Sequence, residues 1–361
     1  MKILHVYKDF DPPVHGGIEK HMALMCRFQR EHAQVSALTC SRSVRTRRVM
    51  RDGTDVLEVG ELCRLQNSPL SPTFPLYLRR AHADVYVLHF PHPTAEVAWL
   101  TARPRGALVV RYHSDVVRQA AALKVYRPVL MQFLAQADMI LPTSQQYVET
   151  SPVLSAFADK CRVVPLGITI EDYATPDSGQ VDALHARYGG RFVFFAGRHR
   201  YYKGLAYLVE AAARVDAPVV IGGDGPERAR LEALNAAKKA GVHFTGRLSE
   251  ADLIAHLQAC SVFAFPSIAR SEAFGMALLE AHACGKPAVA TQLGTGVEFV
   301  NQHERTGLNV PPRDAVALAD AINELLNDPA RAAAMGAYAR ERVRREFDAR
   351  HVAEQELACY R

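Results

Sequence analysis

The stretch SEAFGMALLEAHACGKPAVAT, residues 271–291, holds a helix and a strand that both look fully buried. From residue 274 onward, apolar side chains cover nearly every direction of a helix, which is typical of a buried helix. The apolar run 287–291 then predicts a buried strand. Buried strands that alternate with helices indicate a parallel sheet that is covered on both faces.

Two glutamates bracket this helix. Glu272 is expected at or before the helix start, where free amides and the positive end of the dipole attract anionic groups. Glu280 lies inside the apolar helix and needs a partner, because an unpaired buried charge is too costly. At about 1.5 Å of rise per residue they lie roughly 12 Å apart, beyond the roughly 5–9.5 Å of a glycosidase acid/base pair. We interpret them as two contacts to one extended ligand; the alternative is a surface loop glutamate and a partly exposed helix glutamate.

Strands and helices alternate through both halves of the chain. The predicted strands of the first half are 3–7, 34–39, 85–89, 108–112, 139–142 and 162–165, and its helices are 17–29, 95–101, 125–137 and 145–156. The second half repeats the rhythm with strands 191–196, 218–221, 242–244, 262–265 and 287–291 and helices 205–215, 227–240, 250–259 and 274–283, then helices after Asp314 and Asp328. This pattern predicts an α/β protein built of two doubly wound, Rossmann-like domains.

The domain boundaries follow from the same pattern. We expect a first domain at 1–168, a linker at 169–180 that contains Pro, Ser and Gly, and a second domain at 181–346. A C-terminal helix at about 347–361 is expected to pack back on the first domain. Ligands of doubly wound sheets sit beyond the carboxyl ends of the strands. Two facing domains of this kind would place a binding cleft between them.

Composition excludes several classes of protein. The 361 residues are 49% hydrophobic and 22% charged, which excludes a disordered or fibrous chain. The first nine residues become charged too early for a signal peptide, and no apolar run approaches the roughly 18 residues of a membrane span. Seven cysteines show neither an even count nor a CxxC pair, so we expect reduced thiols in a cytoplasmic protein and no structural zinc.

Positive charge is concentrated in the first half. Residues 1–170 contain 21 Lys/Arg and 14 Asp/Glu, whereas the remainder contains 22 and 24. Part of the excess is a predicted basic loop with five arginines, namely Arg42, Arg45, Arg47, Arg48 and Arg51. Such a loop can bind anionic lipid headgroups, a phosphorylated substrate or nucleic acid, or it is simply solvated. Few aromatic residues interleave with these arginines, so nucleic-acid stacking has little support.

Two loops that follow predicted strands carry groups suited to phosphate. Gly16 and Gly17 open a helix, where glycines permit close approach and free amides suit an anion. Gly197 and Arg198 follow strand 191–196, and Lys203 comes just before the next helix. Guanidinium and ammonium groups both complement phosphate oxygens. The alternatives are an ordinary glycine turn and an ordinary basic loop.

Two further patterns are ambiguous. Asp9 and Asp11 form a DxD pattern, which can hold a divalent cation but more often caps a turn, so we expect no metal site. His113 follows strand 108–112 beside Ser114, yet sequence neighbours rarely form a nucleophile–base pair, and no GxSxG motif is present. His113 is therefore expected either to contact substrate or to be structural.

Taken together, these motifs resemble the large family of retaining, two-domain glycosyltransferases of the GT-B fold, the family-4 type. The likeness covers nearly the whole chain. It rests on GGIE at 16–19, YHS at 112–114, VPLGI at 164–168, the loop 197–204, GDGP at 223–226, FTGRL at 244–248, the E-x7-E element 272–280 and GKPAVA at 285–290. One departure is GTG at 294–296, where relatives often have Gly-Gly shortly before a Glu; Glu298 follows at about the expected distance.

The resemblance implies that the second domain binds a nucleotide-diphosphate sugar. Arg198 and Lys203 would neutralise the diphosphate and stabilise the leaving group, Glu280 would bind the ribose hydroxyls, and Glu272 would bind hydroxyls of the donor sugar. Other implied donor contacts are Gly197 beside the diphosphate, the backbone at Phe274 and Gly275, Gly246, Arg247 and Leu248 at the base, Gly16 and Gly17 at the phosphates or sugar, and His113 near the reacting carbon.

The resemblance also implies transfer with retention, without a metal or other cofactor, in which the leaving phosphate helps to deprotonate the acceptor. The sequences YHSD at 112–115 and YYKG at 201–204 most resemble those of bacterial enzymes of surface polysaccharide and lipopolysaccharide synthesis. These act at the cytoplasmic face of the inner membrane, where the 42–51 arginines would bind anionic lipid. No nucleic-acid partner is expected.

The leading expectation for the reaction is transfer of mannose from GDP-mannose to a glycan or lipid-linked acceptor. A UDP-hexose donor, or a nucleotide-sugar epimerase on the same fold, is the alternative. An NAD-dependent dehydrogenase is disfavoured, because neither glycine turn completes GxGxxG.

Overall fold

The computed structural model describes residues 1–65, 67–115, 120–173 and 177–361, and at 120–125 it describes the backbone alone. The chain divides into two compact units, Met1–Gly167 with Ala349–Arg361, and Ile168–Asp348. Each unit contains a largely or wholly parallel sheet, which confirms the predicted α/β class. Within the described residues, no helix is long and apolar enough to cross a membrane.

The first unit is built on a seven-stranded sheet. In chain order its strands are β1 (Lys2–Val6), β2 (Gln34–Cys40), β3 (Arg47–Arg51), β4 (Thr54–Val59), β7 (Val85–Phe90), β8 (Ala107–Tyr112) and β9 (Met139–Leu141), with the hairpin β5 (Cys63–Leu65) and β6 (Ser68–Leu70) outside it. The spatial order is β3-β4-β2-β1-β7-β8-β9, and only the edge strand β3 is antiparallel to its neighbour. Its helices are α1 (Gly17–Gln29), α2 (Phe74–Arg80), α3 (Pro93–Ala102), α4 (Ala120–Ala135) and α5 (Gln145–Thr150).

The second unit is built on a six-stranded parallel sheet. Its strands are β10 (Val193–Ala196), β11 (Val219–Gly222), β12 (His243–Gly246), β13 (Val262–Phe265), β14 (Ala288–Thr291) and β15 (Gly307–Val310), in the spatial order β12-β11-β10-β13-β14-β15. Its helices are α6 (Ser178–Tyr188), α7 (Leu205–Ala212), α8 (Arg228–Lys238), α9 (Glu250–Ala259), α10 (Met276–Ala283), α11 (Gly296–Val300), α12 (Ala315–Asn327) and α13 (Pro329–Glu346). A last helix, α14 (Ala349–Cys359), belongs to the first unit.

One face of the first sheet is covered by α1 and α14. Leu24, Met25 and Phe28 of α1 and Val352 and Leu357 of α14 form one apolar cluster with the sheet. The buried character predicted for the 274–283 helix is confirmed, since four apolar residues of α10 are buried, namely Leu278, Leu279, Ala281 and Ala283. The helix–strand rhythm of the sequence thus reflects apolar layers on both sheets.

The predicted strand at 162–165 is wrong. The backbone amides of Arg162 and Val164 do donate to the carbonyls of Ile140 and Pro142, in and just after β9. However, the carbonyls of Val164 and Pro165 accept hydrogen bonds from the Arg111 guanidinium, at 2.8 and 2.7 Å. Because a buried cation occupies these acceptors, the segment forms a single bridge at Cys161 and no strand.

Other elements also differ from the sequence-based prediction, and the predicted helix 145–156 ends at Thr150. Helix α6 begins at Ser178, inside the segment predicted as a linker, because the Asp177 side chain caps it by accepting from the Gln180 amide at 3.1 Å. Residues 174–176 of that predicted linker lie outside the described residues. The 42–51 window is not entirely a loop, since Arg47–Arg51 forms the edge strand β3. Its charged sequence hides the strand, because the apolar alternation of a half-buried strand is missing.

Candidate active site

Four loops meet at the carboxyl edge of the second sheet. They follow β10, β11, β12 and β13, which lie side by side in parallel. Such an edge is where ligands bind in doubly wound sheets. The loops contain most of the residues predicted to bind the donor, so these come together as parallel topology requires.

The centre of this edge is an ion pair between Lys203 and Glu272. The Lys203 ammonium nitrogen lies 2.5 Å from Glu272 Oε2, and each side chain is almost nine-tenths buried. Burial would lower the pKa of Lys203, but the Glu272 carboxylate outweighs it, so the pKa lies above its ordinary value. The Phe265 ring, with its centroid 4.9 Å from Nζ, also faces this cation. The site therefore holds a permanently charged lysine in a sheltered place.

Glu272 is fixed from several directions. Ser267 Oγ donates to Glu272 Oε2 at 3.0 Å, and Thr295 Oγ1 donates to the Glu272 carbonyl at 2.9 Å. Because α10 begins only at Met276, Glu272 lies in the preceding loop, and the helical rise does not give its separation from Glu280. The predicted location at or before the helix start is confirmed.

The beginning of α10 is an open anion site in its geometry. The residue before the helix is Gly275, with a φ of 91°, and no side chain caps the first turn. A Cβ at Gly275 would lie 2.9 Å from Leu278, so a larger residue would strain the turn. The first amides of a helix have no intrahelical acceptor and favour negative charge. These amides fit the contact that the sequence predicts for Phe274 and Gly275.

Glu280 is half-buried on α10 and has a partner, as predicted from the cost of burying a charge. The partner is Tyr173, which forms a side-chain hydrogen bond with Glu280. Burial and then the Glu280 carboxylate raise the pKa of Tyr173 far above its ordinary value. The tyrosine is therefore a neutral donor that holds Glu280 in place.

Close backbone packing explains the glycines of these loops. A Cβ at Gly223 would lie 2.0 Å from the Gly197 carbonyl oxygen, and one at Gly204 would lie 1.9 Å from the Pro266 carbonyl oxygen. Gly197 itself has a φ of 154° and donates to the Gly222 carbonyl at 3.2 Å. In sequence, the 223–226 segment is explained by turn geometry alone. In the structure its backbone also packs directly against the 197–203 loop.

The remaining predicted donor contacts of the second unit are at least partly open to solvent. The Arg198 side chain is exposed and has no acidic partner in the described part of the chain. Arg247 is 87% exposed, with Nε 3.7 Å from Asp224 Oδ2, and Gly246 has a φ of 75° with free space around its Cα. Leu248 is half-buried and packs near Gly222. These groups are available to a ligand, whereas Lys203 is already paired.

In the first unit, Gly16 precedes α1 and Gly17 is its first residue. A Cβ at Gly16 would lie 2.2 Å from Glu19 Oε2, so the glycine lets a carboxylate fold back over the helix start. Glu19 is buried, and burial raises its pKa above the ordinary value. An acidic side chain therefore lies beside the glycine that the sequence predicts at the phosphates or sugar of the donor.

His113 lies directly after β8 and is 4% exposed. Its Nε2 lies 2.9 Å from His89 Nδ1, and the planes of the two rings are parallel to within 10°. Its Nδ1 is buried and has no hydrogen-bond partner among the described residues. The sequence does not indicate the partner, because His89 looks like one more member of a buried strand.

The acids and arginines before β4 mostly neutralise one another. Asp9 of the DxD pattern pairs with Arg42 at 3.0 Å and with Arg64 at 2.7 Å. Asp11, the second acid of the pattern, contacts His15 at 2.7 Å. Both carboxylates of the DxD pattern are thus already in contact with cationic or imidazole groups of the chain.

The arginine window itself is also largely paired. Arg47 and Arg51 both contact Glu58, at 2.5 Å each, and Arg48 lies 3.4 Å from Asp55. Of the five arginines, only Arg45 has no carboxylate partner within the described residues. The prediction that all five arginines lie in one loop is wrong for Arg47, Arg48 and Arg51, because they belong to β3, which pairs with β4 and its two acids.

Sequence and structure comparisons agree with this arrangement. Residues 182–342 match the family Glycosyl transferases group 1, and residues 16–167 match the Glycosyl transferase 4-like domain. Sucrose-phosphate synthase from Thermosynechococcus elongatus has a similar structure, with a TM-score of 0.84 and 24% identity over 99% of this chain and 98% of that one. The fold and the loops at the sheet edge define a GT-B glycosyltransferase.

The chain belongs to the glycosyltransferases of this group 1, 4-like type. It is 35% identical to O-antigen chain mannosyltransferase C of Escherichia coli over 366 residues, 100% of this chain and 98% of that protein. It is 36% identical over 353 residues to D-rhamnosyltransferase WbpZ of Pseudomonas aeruginosa, covering 97% and 93%. It is 32% identical to the GDP-mannose-dependent alpha-(1-6)-phosphatidylinositol monomannoside mannosyltransferase of Mycobacterium tuberculosis over 377 residues, covering 95% and 93%. The predicted membership in the two-domain glycosyltransferases and the predicted GT-B fold are confirmed.

Proposed function

We propose that this glycosyltransferase moves mannose, with retention, from GDP-mannose to a glycan or lipid-linked acceptor in surface polysaccharide synthesis. The single observation that carries the proposal is the sheltered Lys203–Glu272 pair beside the uncapped start of α10. The names of the relatives support the sugar and the context, since one is an O-antigen mannosyltransferase and another depends on GDP-mannose.

The charges of the site fit departure of a diphosphate. In the transition state the anomeric carbon becomes cationic while negative charge grows on the leaving diphosphate. Lys203, whose pKa the Glu272 carboxylate raises above its ordinary value, and the exposed Arg198 would stabilise that negative charge, together with the first amides of α10. Glu272, which accepts hydrogen bonds at its carboxylate, would bind sugar hydroxyls, and Glu280 would bind the ribose. The acceptor hydroxyl would pass its proton to the leaving phosphate, so no general base from these glutamates is required.

The donor is tested by thermal shift with GDP, UDP, ADP and dTDP and their common sugars. We expect GDP and GDP-mannose to raise the melting temperature, because a ligand at about 100 times its Kd adds roughly 2.7 kcal/mol to the native state. Glu280→Gln should weaken the binding of every nucleotide that binds the wild type. Glu324→Gln, on the exposed surface of α12, should weaken the binding of none. A shift with UDP alone would favour the UDP-hexose alternative, and no shift with any nucleotide would contradict the proposal.

The reaction is tested by incubating the enzyme with GDP-mannose and lipid-linked glycan. Transfer should need the acceptor, and NMR of the product should show the anomeric configuration of the donor. Conversion of the nucleotide sugar without any acceptor would instead favour an epimerase.

We further propose that the first unit contacts anionic membrane through an exposed patch in the segments 44–50, 62–65 and 68–70. Large apolar side chains are exposed there by 48–72%, namely Val44, Met50, Leu62, Leu65 and Leu70. Backbone hydrogen bonds from Glu61 to Ser43 and from Leu62 to Leu70 join their segments. Arg45 and Arg48 are exposed in the same segments. Apolar side chains flanked by arginines fit a surface of anionic lipid, since each basic residue near such a surface contributes about 1 kcal/mol.

The proposed patch can be tested by four simultaneous substitutions. Replacing Arg45 and Arg48 with Gln and Leu62 and Leu65 with Ser should reduce binding to phosphatidylglycerol-containing liposomes at least tenfold in a sedimentation assay. A matched pair in the second unit, Arg214→Gln with Val316→Ser, should leave binding unchanged. If the variant with all four substitutions kept wild-type liposome binding and lipid-acceptor turnover, the membrane proposal would be contradicted. Arg42, Arg47 and Arg51 are left intact because they neutralise buried acids.

A further inference from the structure

A chain of hydrogen bonds runs through the first unit from Glu356 to His113. Gln29 Nε2 donates to Glu356 Oε2 at 3.2 Å, and Gln29 Oε1 lies 2.9 Å from His5 Nε2. His5 Nδ1 lies 3.0 Å from His89 Nε2, and His89 Nδ1 lies 2.9 Å from His113 Nε2. Gln29, His5, His89 and Glu356 are completely buried, and each is joined directly to the next by these hydrogen bonds.

The strands explain why these side chains meet. His5, His89 and His113 stand at the carboxyl ends of β1, β7 and β8, which are neighbours in the sheet. Side chains two residues apart on a strand share a face. The three histidines therefore continue the rows of Ile3, Val87 and Val109, which pack under α1 and α14. Gln29 ends α1 and Glu356 lies on α14, so the two helices complete the chain.

The direction of the chain is set at Glu356. Glu356 Oε1 lies 3.0 Å from Arg111 Nε, and both side chains are fully buried. Burial alone would raise the pKa of Glu356, but Arg111 and then His21 lower it to about 2. An ionised carboxylate only accepts hydrogen bonds. The amide nitrogen of Gln29 must therefore face Glu356, because the opposite orientation would place two acceptors against each other.

This direction passes from ring to ring. Burial, above all, lowers the pKa of His5, His89 and His113, so each ring is neutral near pH 7 and carries one proton. Gln29 Oε1 must accept, so His5 carries its proton on Nε2 and accepts at Nδ1. His89 must then donate through Nε2 and accept at Nδ1. His113 in turn must donate through Nε2.

We propose that Gln29, His5 and His89 are positioning residues that fix His113 with its proton on Nε2, so that Nδ1 accepts a hydrogen bond from a hydroxyl of the bound sugar. The buried Nδ1 that lacks a partner in the described residues is the acceptor left at the end of the chain. The hydroxyl contact rests on the proposed function, whereas the tautomer rests on the hydrogen bonds alone. Fixed in this way, the site selects a sugar hydroxyl, which donates, over a group that only accepts.

The tautomer is tested first, without any substrate. Long-range ¹H–¹⁵N correlation spectra of the histidine-labelled protein near pH 7 should show His113 protonated at Nε2 and unprotonated at Nδ1, with the signals assigned from His113→Ala. A proton on Nδ1 of His113 would overturn the proposal. Wild-type protein with a fixed tautomer that binds no nucleotide sugar would overturn the proposed function and leave the positioning chain standing.

The role of the chain is tested with Gln29→Leu, two rings away from His113. Without the Gln29 amide, nothing fixes which ring nitrogen donates in each hydrogen bond. The His113 signals should therefore become a mixture of both tautomers. The kcat/KM for GDP-mannose should fall about tenfold, which corresponds to loss of one hydrogen bond of about 1.4 kcal/mol. Met25→Leu, on the same buried face of α1, is the control and should leave spectra and kcat/KM unchanged. An unchanged tautomer in Gln29→Leu would contradict the proposal.

The acceptor role is tested with GDP-mannose analogues that each carry fluorine in place of one sugar hydroxyl. Fluorine cannot donate, so the analogue altered at the contacted hydroxyl should bind about tenfold more weakly than GDP-mannose. His113→Ala should remove that difference, while His89→Gln, which can accept and donate in the same order, should keep it. Equal binding of all analogues to the wild-type enzyme would overturn the hydroxyl contact.

Discussion

Replacing Lys203 with Met should lower kcat/KM for glycosyl transfer by roughly a hundredfold to a thousandfold, the usual loss for one group that stabilises developing negative charge. Lys203 is the sheltered cation of the site, with its ammonium 2.5 Å from Glu272 and its pKa raised by that carboxylate. Steady-state rates with GDP-mannose and a lipid-linked acceptor measure the effect. Lys238→Met, an exposed lysine in the last turn of α8, should keep the wild-type rate.

Part of any loss in Lys203→Met comes from the stranded Glu272. Removing one partner of a buried pair leaves an uncompensated charge, which is strongly destabilising. The double variant Lys203→Met with Glu272→Gln removes that charge and should recover much of the melting temperature, yet its kcat/KM should stay low. If the double variant recovered wild-type activity, or if Lys203→Met lost less than tenfold, Lys203 would not stabilise the leaving group.

Replacing Glu356 with Leu should destabilise the first unit by about 3–5 kcal/mol, because Arg111 would remain buried without its counter-charge. Urea unfolding followed by tryptophan fluorescence measures this unit, since the single tryptophan, Trp99, is buried in α3. Glu354→Leu alters a side chain of α14 that is 56% exposed and should change stability by less than about 0.5 kcal/mol. Equal stability of the two variants would show that the buried pair contributes nothing.

The same pair predicts a pH dependence. The pKa of Glu356 is about 2 in the folded chain, below the ordinary 4.5. A depressed folded pKa gives stabilisation that is complete above pH 4.5 and is lost as the pH falls toward 2. The difference in urea midpoint between wild type and Glu356→Leu should therefore be constant from pH 7 to pH 5 and shrink on approach to pH 3. A difference that stayed constant down to pH 3 would contradict this assignment.

How far the sequence alone leads depends on whether a feature is local. The strand-and-helix order, the position of Glu272 before α10 and the partner required by Glu280 all follow from local pattern and the cost of burial. Likewise, the loop containing Arg198 and Lys203 lies at the carboxyl edge of the sheet, because parallel topology places it there. The roles of these residues toward the donor remain predictions that rest on the resemblance.

What the sequence does not reveal is which distant residues pair. Lys203 and Glu272 are each predicted to bind ligand, but their contact depends on how closely two loops approach, which no spacing encodes. Arg111 and Glu356 are far apart in the chain, and so are Gln29 and Glu356. Histidines at 5 and 89 look like ordinary members of buried strands, because a neutral buried ring leaves no charge pattern. The strand β3 is missed because its arginines hide the alternation of apolar and polar residues that marks a half-buried strand.

The return of α14 to the first unit has a consequence for biosynthesis. The second unit is one continuous segment and can fold as soon as residue 348 has left the ribosome. The first unit, although translated first, lacks Glu356 and the apolar side chains of α14 until after that point. Until then Arg111 has no counter-charge and α1 has an open flank. The half that is made first is therefore finished last, and a nascent chain stalled before α14 presents an exposed apolar face to chaperones.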